Sequence, residues 1–304
     1  MTVSLTSPTF NDLFVQWERQ QAAYVAHRQN RFQVMLDVLG LHGPTDPTVL
    51  DLACGPGSIA DRVLSRFPGA RAVAADYDPV LMRIARSVLA RHDDRATVVE
   101  ADLVSTDWSS ALPEWTFDAV LSSTALHWLS PGHLLAVYTE LARLLPPGAV
   151  LLNADHLRFG DDRPALRRLS AEHDTAVQRE AFTDGAATWQ QWWDLAARHP
   201  ELAPLLPERE RRFADRPPQP PASLEFHLAA LRTAGFTEVG TAWQYLDDYV
   251  VFARRRPPTH RRRRRHPPAR RHPAPPPPVA GGGRARSRWA APVWWRFRCP
   301  WRSR

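Results

Sequence analysis

A short apolar run ending in small residues, Val49-Leu50-Asp51-Leu52-Ala53-Cys54-Gly55-Pro56-Gly57, carries the first chemical signal in this chain. Small residues let a backbone approach a ligand closely. Gly55-Pro56-Gly57-Ser58-Ile59-Ala60 also satisfies the G-x-G-x-x-A pattern of dinucleotide sites. Three features oppose a dinucleotide. Asp51, near the end of the run, would repel a pyrophosphate. Pro56 removes an N–H from a turn where an anion needs donors. Asp76 and Asp102 stand at the ends of the next two apolar runs. Such an acidic rim suits a ligand with a sulfonium and an ammonium group and no phosphate.

His127-Trp128 follows the fourth apolar run, where the second reactant of such a site would lie. An imidazole titrates near neutral pH, so His127 is the candidate general base, with Asp155 and His156 standing second to it. Cys54 reads as a small buried residue rather than a nucleophile. Asp118 opens a strand and reads as structural. Trp189, Trp192 and Trp193 read as the core of an inserted segment before a substrate wall. Other chemistries find no support. There is no C-x-x-C pair and no H-E-x-x-H, and a Walker lysine is impossible because the chain has no lysine. His260, His266 and His272 lack the spacing of a metal site, so no metal is expected.

The elements that must hold these residues follow from periodicity. Residues 9–40 read as helical, with Phe10, Leu13, Phe14 and Trp17 recurring at helical spacing and Gly40 and Gly43-Pro44 as the stop. Five strands are expected at 48–53, 71–75, 96–100, 117–122 and 148–153. Helices at 58–67, 79–91 and 133–145 separate most of them. After 156–222, a helix at 223–234 and strands at 238–244 and 249–253 close the pattern. Strands alternating with helices predict an α/β, doubly wound, Rossmann-like and mostly parallel sheet covered on both faces.

Taken together, residues 48–153 resemble the core of class I S-adenosylmethionine-dependent methyltransferases. They are similar in particular to the small-molecule branch that includes trans-aconitate methyltransferase-like proteins. Asp51 to Gly57 matches the family's first motif, with Ala53 where the family often has Gly. Asp76, in Val73-Ala74-Ala75-Asp76-Tyr77-Asp78-Pro79, matches the acid that holds the ribose hydroxyls through two carboxylate oxygens. Asp102, in Val99-Glu100-Ala101-Asp102-Leu103, matches the acceptor of the adenine amino group. Phe117 to Ser123 matches the fourth-strand motif beside the transferred methyl, and Leu145-Pro146-Pro147-Gly148 the turn before the fifth strand.

The resemblance implies a seven-stranded fold with S-adenosyl-L-methionine as cofactor. It implies cofactor contacts from Asp51, Ala53, Cys54, Gly55, Gly57, Asp76, Tyr77, Asp102, Leu103 and Ser122. Tyr24 and Arg28 are then placed to reach the cofactor's carboxylate. The expected reaction is in-line methyl transfer to a small-molecule acceptor, in which a base is needed only if the acceptor must lose a proton. The alternatives are an NAD(P)-dependent oxidoreductase and a nucleic-acid methyltransferase. Against the latter, Ser122-Ser123-Thr124-Ala125 stands where base methyltransferases carry an N-P-P-Y-type signature.

Five segments are expected. They are an N-terminal helical segment at 1–45, a cofactor-binding core at 46–155, a substrate-covering insertion at 156–222, closing elements at 223–255 and an Arg/Pro-rich disordered tail at 256–304. Charge divides along the same line. Arg254 to Arg304 holds 17 Arg and no acid, leaving 22 Arg against 32 Asp and Glu in residues 1–253, a net of −10. An acidic body disfavours a nucleic-acid partner except through the tail. Two cysteines, no membrane-length apolar run and no basic-then-apolar leader predict a cytoplasmic protein without a membrane partner.

Overall fold

The computed structural model describes residues 7–216 and 222–255, so the expectations for the 256–304 tail, its histidines and Cys299 lie outside the described residues. Two N-terminal helices come first. Thr9 and Asp12 form a capping box that starts α1 (Phe10–Tyr24). The chain then turns through His27, at φ 54°, into α2 (Arg28–His42). The continuous helix expected over 9–40 is therefore two helices, broken where no Gly or Pro marks the break. Gly40 lies inside α2, and Gly43 caps it.

Seven strands follow, β1 (Thr48–Leu52), β2 (Arg71–Asp76), β3 (Ala96–Glu100), β4 (Ala119–Ser123), β5 (Val150–His156), β6 (Glu238–Tyr245) and β7 (Asp248–Arg254). They form one sheet in the order β3-β2-β1-β4-β5-β7-β6. β1 to β5 run parallel, and β7 lies antiparallel to both β5 and β6. The order reverses between β1 and β4, and a crevice at such a switch point is where doubly wound sheets bind ligands. α3 (Ser58–Arg66), α4 (Pro79–Leu89), α5 (Pro131–Leu144) and α9 (Leu224–Ala234) complete the core. Asp78 caps α4 with Pro79 at its first turn, and Ser130 and Ser223 cap α5 and α9.

Side chains alternate across the strands as the two-residue period requires. Leu50, Leu52, Val73, Val120 and Leu151 pack under α5 and α9 with Tyr138, Leu141 and Leu231. Val49, Ala72, Ala74, Leu121 and Leu152 face α2 and α3 with Phe32, Met35, Ile59 and Val63. Asp118 Oδ2 accepts from the Thr48 N–H at 2.9 Å, a structural tie between neighbouring strands.

The segment after β5 holds α6 (Pro164–Thr183), α7 (Trp189–Ala196) and α8 (Leu206–Phe213). Trp189, Trp192 and Trp193 are buried with Leu13, Phe14 and Trp17 of α1 and Val80, Leu81 and Ile84 of α4. Trp192 Nε1 donates to the Leu13 carbonyl at 3.1 Å. The tryptophans are thus the core by which this segment docks, not a wall of the crevice. Among the described residues, no helix is long and apolar enough to cross a membrane.

Candidate active site

The C-terminal ends of β1 to β5 gather most of the residues singled out by sequence. Leaving β1, the chain passes Ala53 at φ 56°, Gly55 at φ 55° and Gly57 at φ 88° before α3 begins. A Cβ on Gly57 would meet Leu89 Cδ1 at 3.1 Å, so both conformation and space require glycine there. The loop is tied to β2 by the Cys54 N–H donating to the Ala75 carbonyl at 3.0 Å.

Asp51 is fully buried beneath this turn. Its Oδ2 accepts from the Ala60 N–H at 2.9 Å, while Oδ1 has no hydrogen-bond partner among the described residues. Burial, with repulsion from Asp76, pushes its carboxyl up to about 7. Cys54 is buried as well, and burial beside Asp76 and Asp51 raises its thiol well above the ordinary range, which removes it as a nucleophile.

Asp76 ends β2. Its Oδ1 accepts from the N–H groups of Tyr77 at 2.7 Å and Asp78 at 2.8 Å, and its Oδ2 from Gly55 at 2.7 Å. Burial and the Asp78 charge raise it to about 6 despite these bonds. Oδ1 thus has both lone pairs engaged, and Oδ2 retains one. The expectation that both oxygens serve ribose hydroxyls narrows to Oδ2 in this geometry.

Tyr77 and Asp102 meet the last helix of the inserted segment. Arg216 pairs with Asp102 Oδ2 and lies 4.4 Å from the Tyr77 ring centre, while the Val104 N–H donates to Asp102 Oδ1 at 3.0 Å. Arg212 bonds the Tyr77 carbonyl and Glu100, each at 2.8 Å, and Arg209 pairs with Asp78 at 2.6 Å. Three arginines therefore hold α8 and its exit across the ends of β2 and β3. Leu103 is half-buried against the α5/α9 core, and Ser122 Oγ donates to the Leu52 carbonyl at 2.8 Å, bracing the β1–β4 seam. Tyr24 and Arg28 are committed elsewhere. The Tyr24 hydroxyl accepts from the Trp189 N–H at 3.1 Å, and Arg28 makes a bidentate pair with Glu18 at 2.7 and 2.8 Å.

His127 comes from the turn after β4. Its Nδ1 lies 2.6 Å from Asp155 Oδ1, and its backbone N–H donates to Asp155 Oδ2 at 3.1 Å. Asp155 is fully buried near the end of β5. Burial alone would raise its carboxyl, but the charge and hydrogen bond of His127, with His156 and His227 nearby, hold it at about 2. The next residue, His156, points to the other face of the sheet. Its Nδ1 lies 2.5 Å from Asp248, its partner in the β5–β7 register, and Asp248 also pairs with the fully buried Arg31. Sequence had ranked Asp155 and His156 only as substitutes for His127. Asp248 and Arg31 had no signal at all, because a strand register and a helix packing create their contacts.

The arrangement fits the implied cofactor. An orphaned buried carboxylate oxygen on Asp51 is matched to an ammonium group, and the left-handed turn at 53–57 brings bare backbone to the same place. Among the described residues, no group of three or more His, Cys, Asp or Glu could hold a metal.

Residues 49–148 match the family model described as a methyltransferase domain. Over 190 residues the chain is 31% identical to a trans-aconitate 2-methyltransferase of Azoarcus sp. (strain BH72), covering 60% of this chain and 68% of that relative. It is 32% identical over 160 residues to a ribosomal RNA small subunit methyltransferase H of Mycobacterium avium (strain 104), covering 45% of this chain and 41% of that protein. The crystal structure of the CurJ carbon methyltransferase covers 82% of this chain and is covered over 59% of its own, with a TM-score of 0.52 at 16% identity, a likeness of fold.

Proposed function

Given that this chain belongs to the class I S-adenosylmethionine-dependent methyltransferases, we propose that it methylates a small-molecule acceptor whose nucleophilic atom must first lose a proton, with His127 as the base. The observation that carries this reading is the 2.6 Å contact between His127 Nδ1 and the buried Asp155. A carboxylate can only accept, so it keeps a proton on Nδ1 and leaves Nε2 as a lone pair.

When bound, S-adenosylmethionine supplies a methyl group activated by a sulfonium. Every other part of the chemistry falls to the chain. Asp51 Oδ1 would receive the ammonium group, and the backbone of Ala53, Cys54, Gly55 and Gly57 would line the amino-acid end. Asp76 Oδ2 would take a ribose hydroxyl, and Tyr77, Asp102 and Leu103 would border the adenine. Ser122 Oγ braces the β1–β4 seam. His127 Nε2 takes the proton of the acceptor as it attacks, and Asp155 stabilises the imidazolium that forms. Alignment and exclusion of water do the rest.

The net of −10 over residues 1–253 favours a small acceptor over a nucleic acid. The match to the ribosomal RNA enzyme, confined to 45% of this chain, adds no reason to prefer RNA. A free, buried thiol at Cys54 suits the reducing cytoplasm. The test is His127→Leu. It should lower kcat by about 10²- to 10⁴-fold while leaving S-adenosylhomocysteine affinity within about threefold of the parent. Full turnover in a folded His127→Leu protein would end the base assignment.

A further inference from the structure

We propose that Arg216 is a built-in competitor of the cofactor: its guanidinium holds the place of the adenine, and binding must release it. This rests on the reading that Tyr77 and Asp102 border the adenine.

The inserted segment meets the sheet through a ladder of three arginines. Arg209, Arg212 and Arg216 recur at the i, i+3, i+7 spacing of one helical face. The first two lie on α8, and the Arg216 N–H donates to the Phe213 carbonyl at 3.2 Å in the turn that follows. Each takes an acid at or just past the end of β2 or β3. Arg209 pairs with Asp78 at 2.6 Å, Arg212 with Glu100 at 2.8 Å, and Arg216 with Asp102. The rungs are not equal. Arg209 and Asp78 are 14% and 4% exposed, so their pair is shielded from solvent. Arg216 and Asp102 are 31% and 24% exposed, where water and salt weaken an ion pair. The weak rung is the one at the adenine end.

Arg216 takes there what a purine bearing an amino group would use. Asp102 Oδ1 already accepts from the Val104 N–H at 3.0 Å, and Oδ2 is held by the guanidinium. The Arg216 Cζ lies 4.4 Å from the centre of the Tyr77 ring and 5.7 Å from that of Phe213. Arg212 Cζ stands 4.7 Å from the same Tyr77 ring. A guanidinium is flat and carries N–H donors in its plane, as the amino edge of adenine does. It therefore gives Asp102 a donor and Tyr77 a flat partner. A ring packed on Tyr77 would have its centre about 4.5–7 Å away, in the space that Arg216 fills.

The competition is thus for one oxygen and one aromatic surface. Release of Arg216 leaves the Arg209 and Arg212 rungs in place, so α8 stays docked while its exit is let go. Apparent cofactor affinity is then reduced by the fraction of molecules in which Arg216 is closed on Asp102.

The experiment is calorimetric titration of the full chain and of Arg216→Ala with S-adenosylhomocysteine and with adenosine, each with thermal unfolding on the same sample. Arg216→Ala should bind S-adenosylhomocysteine about five- to tenfold more tightly, the joint worth of an exposed ion pair and a cation–π contact. Adenosine brings the adenine without the amino-acid end, and its affinity should rise by the same factor. Adenosine is also uncharged, so its response to salt reports the rung alone. Going from about 50 mM to about 500 mM salt should tighten adenosine on the parent chain about two- to threefold by screening the pair, and should leave Arg216→Ala unmoved. The salt series on the parent needs no variant to fold. Equal or weaker affinity in a folded Arg216→Ala protein, a gain for S-adenosylhomocysteine without one for adenosine, or parent affinity for adenosine that is flat or falls with salt would overturn the inference. Failure of both proteins to bind S-adenosylhomocysteine would overturn the proposed function as well.

Discussion

Replacing Asp155 with Asn changes one atom pair and removes the reason for His127 to hold its proton on Nδ1. Asp155 is fully buried and accepts from His127 Nδ1 at 2.6 Å, from the His127 backbone at 3.1 Å and from the His156 backbone at 2.9 Å. Its carboxyl stands at about 2 against an ordinary 3.8, although burial acts to raise it. At roughly 1.4 kcal/mol per pKa unit, attraction to the histidines exceeds the cost of burial by about 2 kcal/mol. Asn has one acceptor oxygen, so with its carbonyl at the Oδ2 position it satisfies the His127 backbone and leaves the His156 N–H, which donates to Oδ1, without that acceptor. Its amide then donates to Nδ1, which drives the proton to Nε2 and removes the base. Loss of the charge removes what stabilises the imidazolium and lowers kcat. Reversal of the tautomer extends this to on the order of 10²- to 10⁴-fold. The assay is steady-state release of S-adenosylhomocysteine, with calorimetric cofactor binding and thermal unfolding on the same sample. Affinity should stay within about threefold. A folded Asp155→Asn protein that keeps more than a tenth of kcat refutes the coupling.

Two further predictions concern the cofactor turn. Asp51 at about 7 and Asp76 at about 6 must be ionised to receive an ammonium and a ribose hydroxyl, so S-adenosylhomocysteine affinity should reach its full value only at about pH 8. It should fall as pH drops through these values, by up to about tenfold per pH unit for each group, and calorimetry from pH 5 to 8 reads this directly. Affinity flat over that range contradicts both assignments. Ala53 adopts φ 56°, a conformation that costs a residue with a Cβ about 1–2 kcal/mol. After the entropy that glycine adds to the unfolded chain, Ala53→Gly should raise stability by about 0.5–1 kcal/mol in denaturant unfolding. A loss of more than about 1 kcal/mol would mean that the Ala53 methyl carries packing the turn needs.

What the sequence made legible was local. The run from Val49 to Gly57 shows strand, turn and helix start within nine residues, and the strand-end acids follow at readable intervals. The alternation of strands with helices likewise predicted a sheet covered on both faces. The helix break at His27 was illegible because it uses a left-handed His with no Gly or Pro to mark it. Gly40 misled in the opposite direction, since α2 tolerates it and continues to His42. Around the site, the missing information was long-range. Asp248 reaches His156 only through the register of two antiparallel strands, and Arg31 reaches Asp248 only because α2 packs on that face. Arg216 meets Asp102 across 114 positions of chain, a pairing no periodicity encodes. His127 was found from its place after β4, while the carboxylate behind it became visible only once β5 lay beside β4.

Calorimetric titration of the full chain with S-adenosylhomocysteine, beside its Asp76→Ala variant and with reduced nicotinamide dinucleotide as control, tests the central claim most directly. The account predicts stoichiometric binding to the parent chain and no binding of the dinucleotide. It predicts affinity lowered at least about tenfold in Asp76→Ala, whose Oδ2 is lost to the ribose. Binding of the dinucleotide alone, or equal affinity in parent and folded variant, would contradict it.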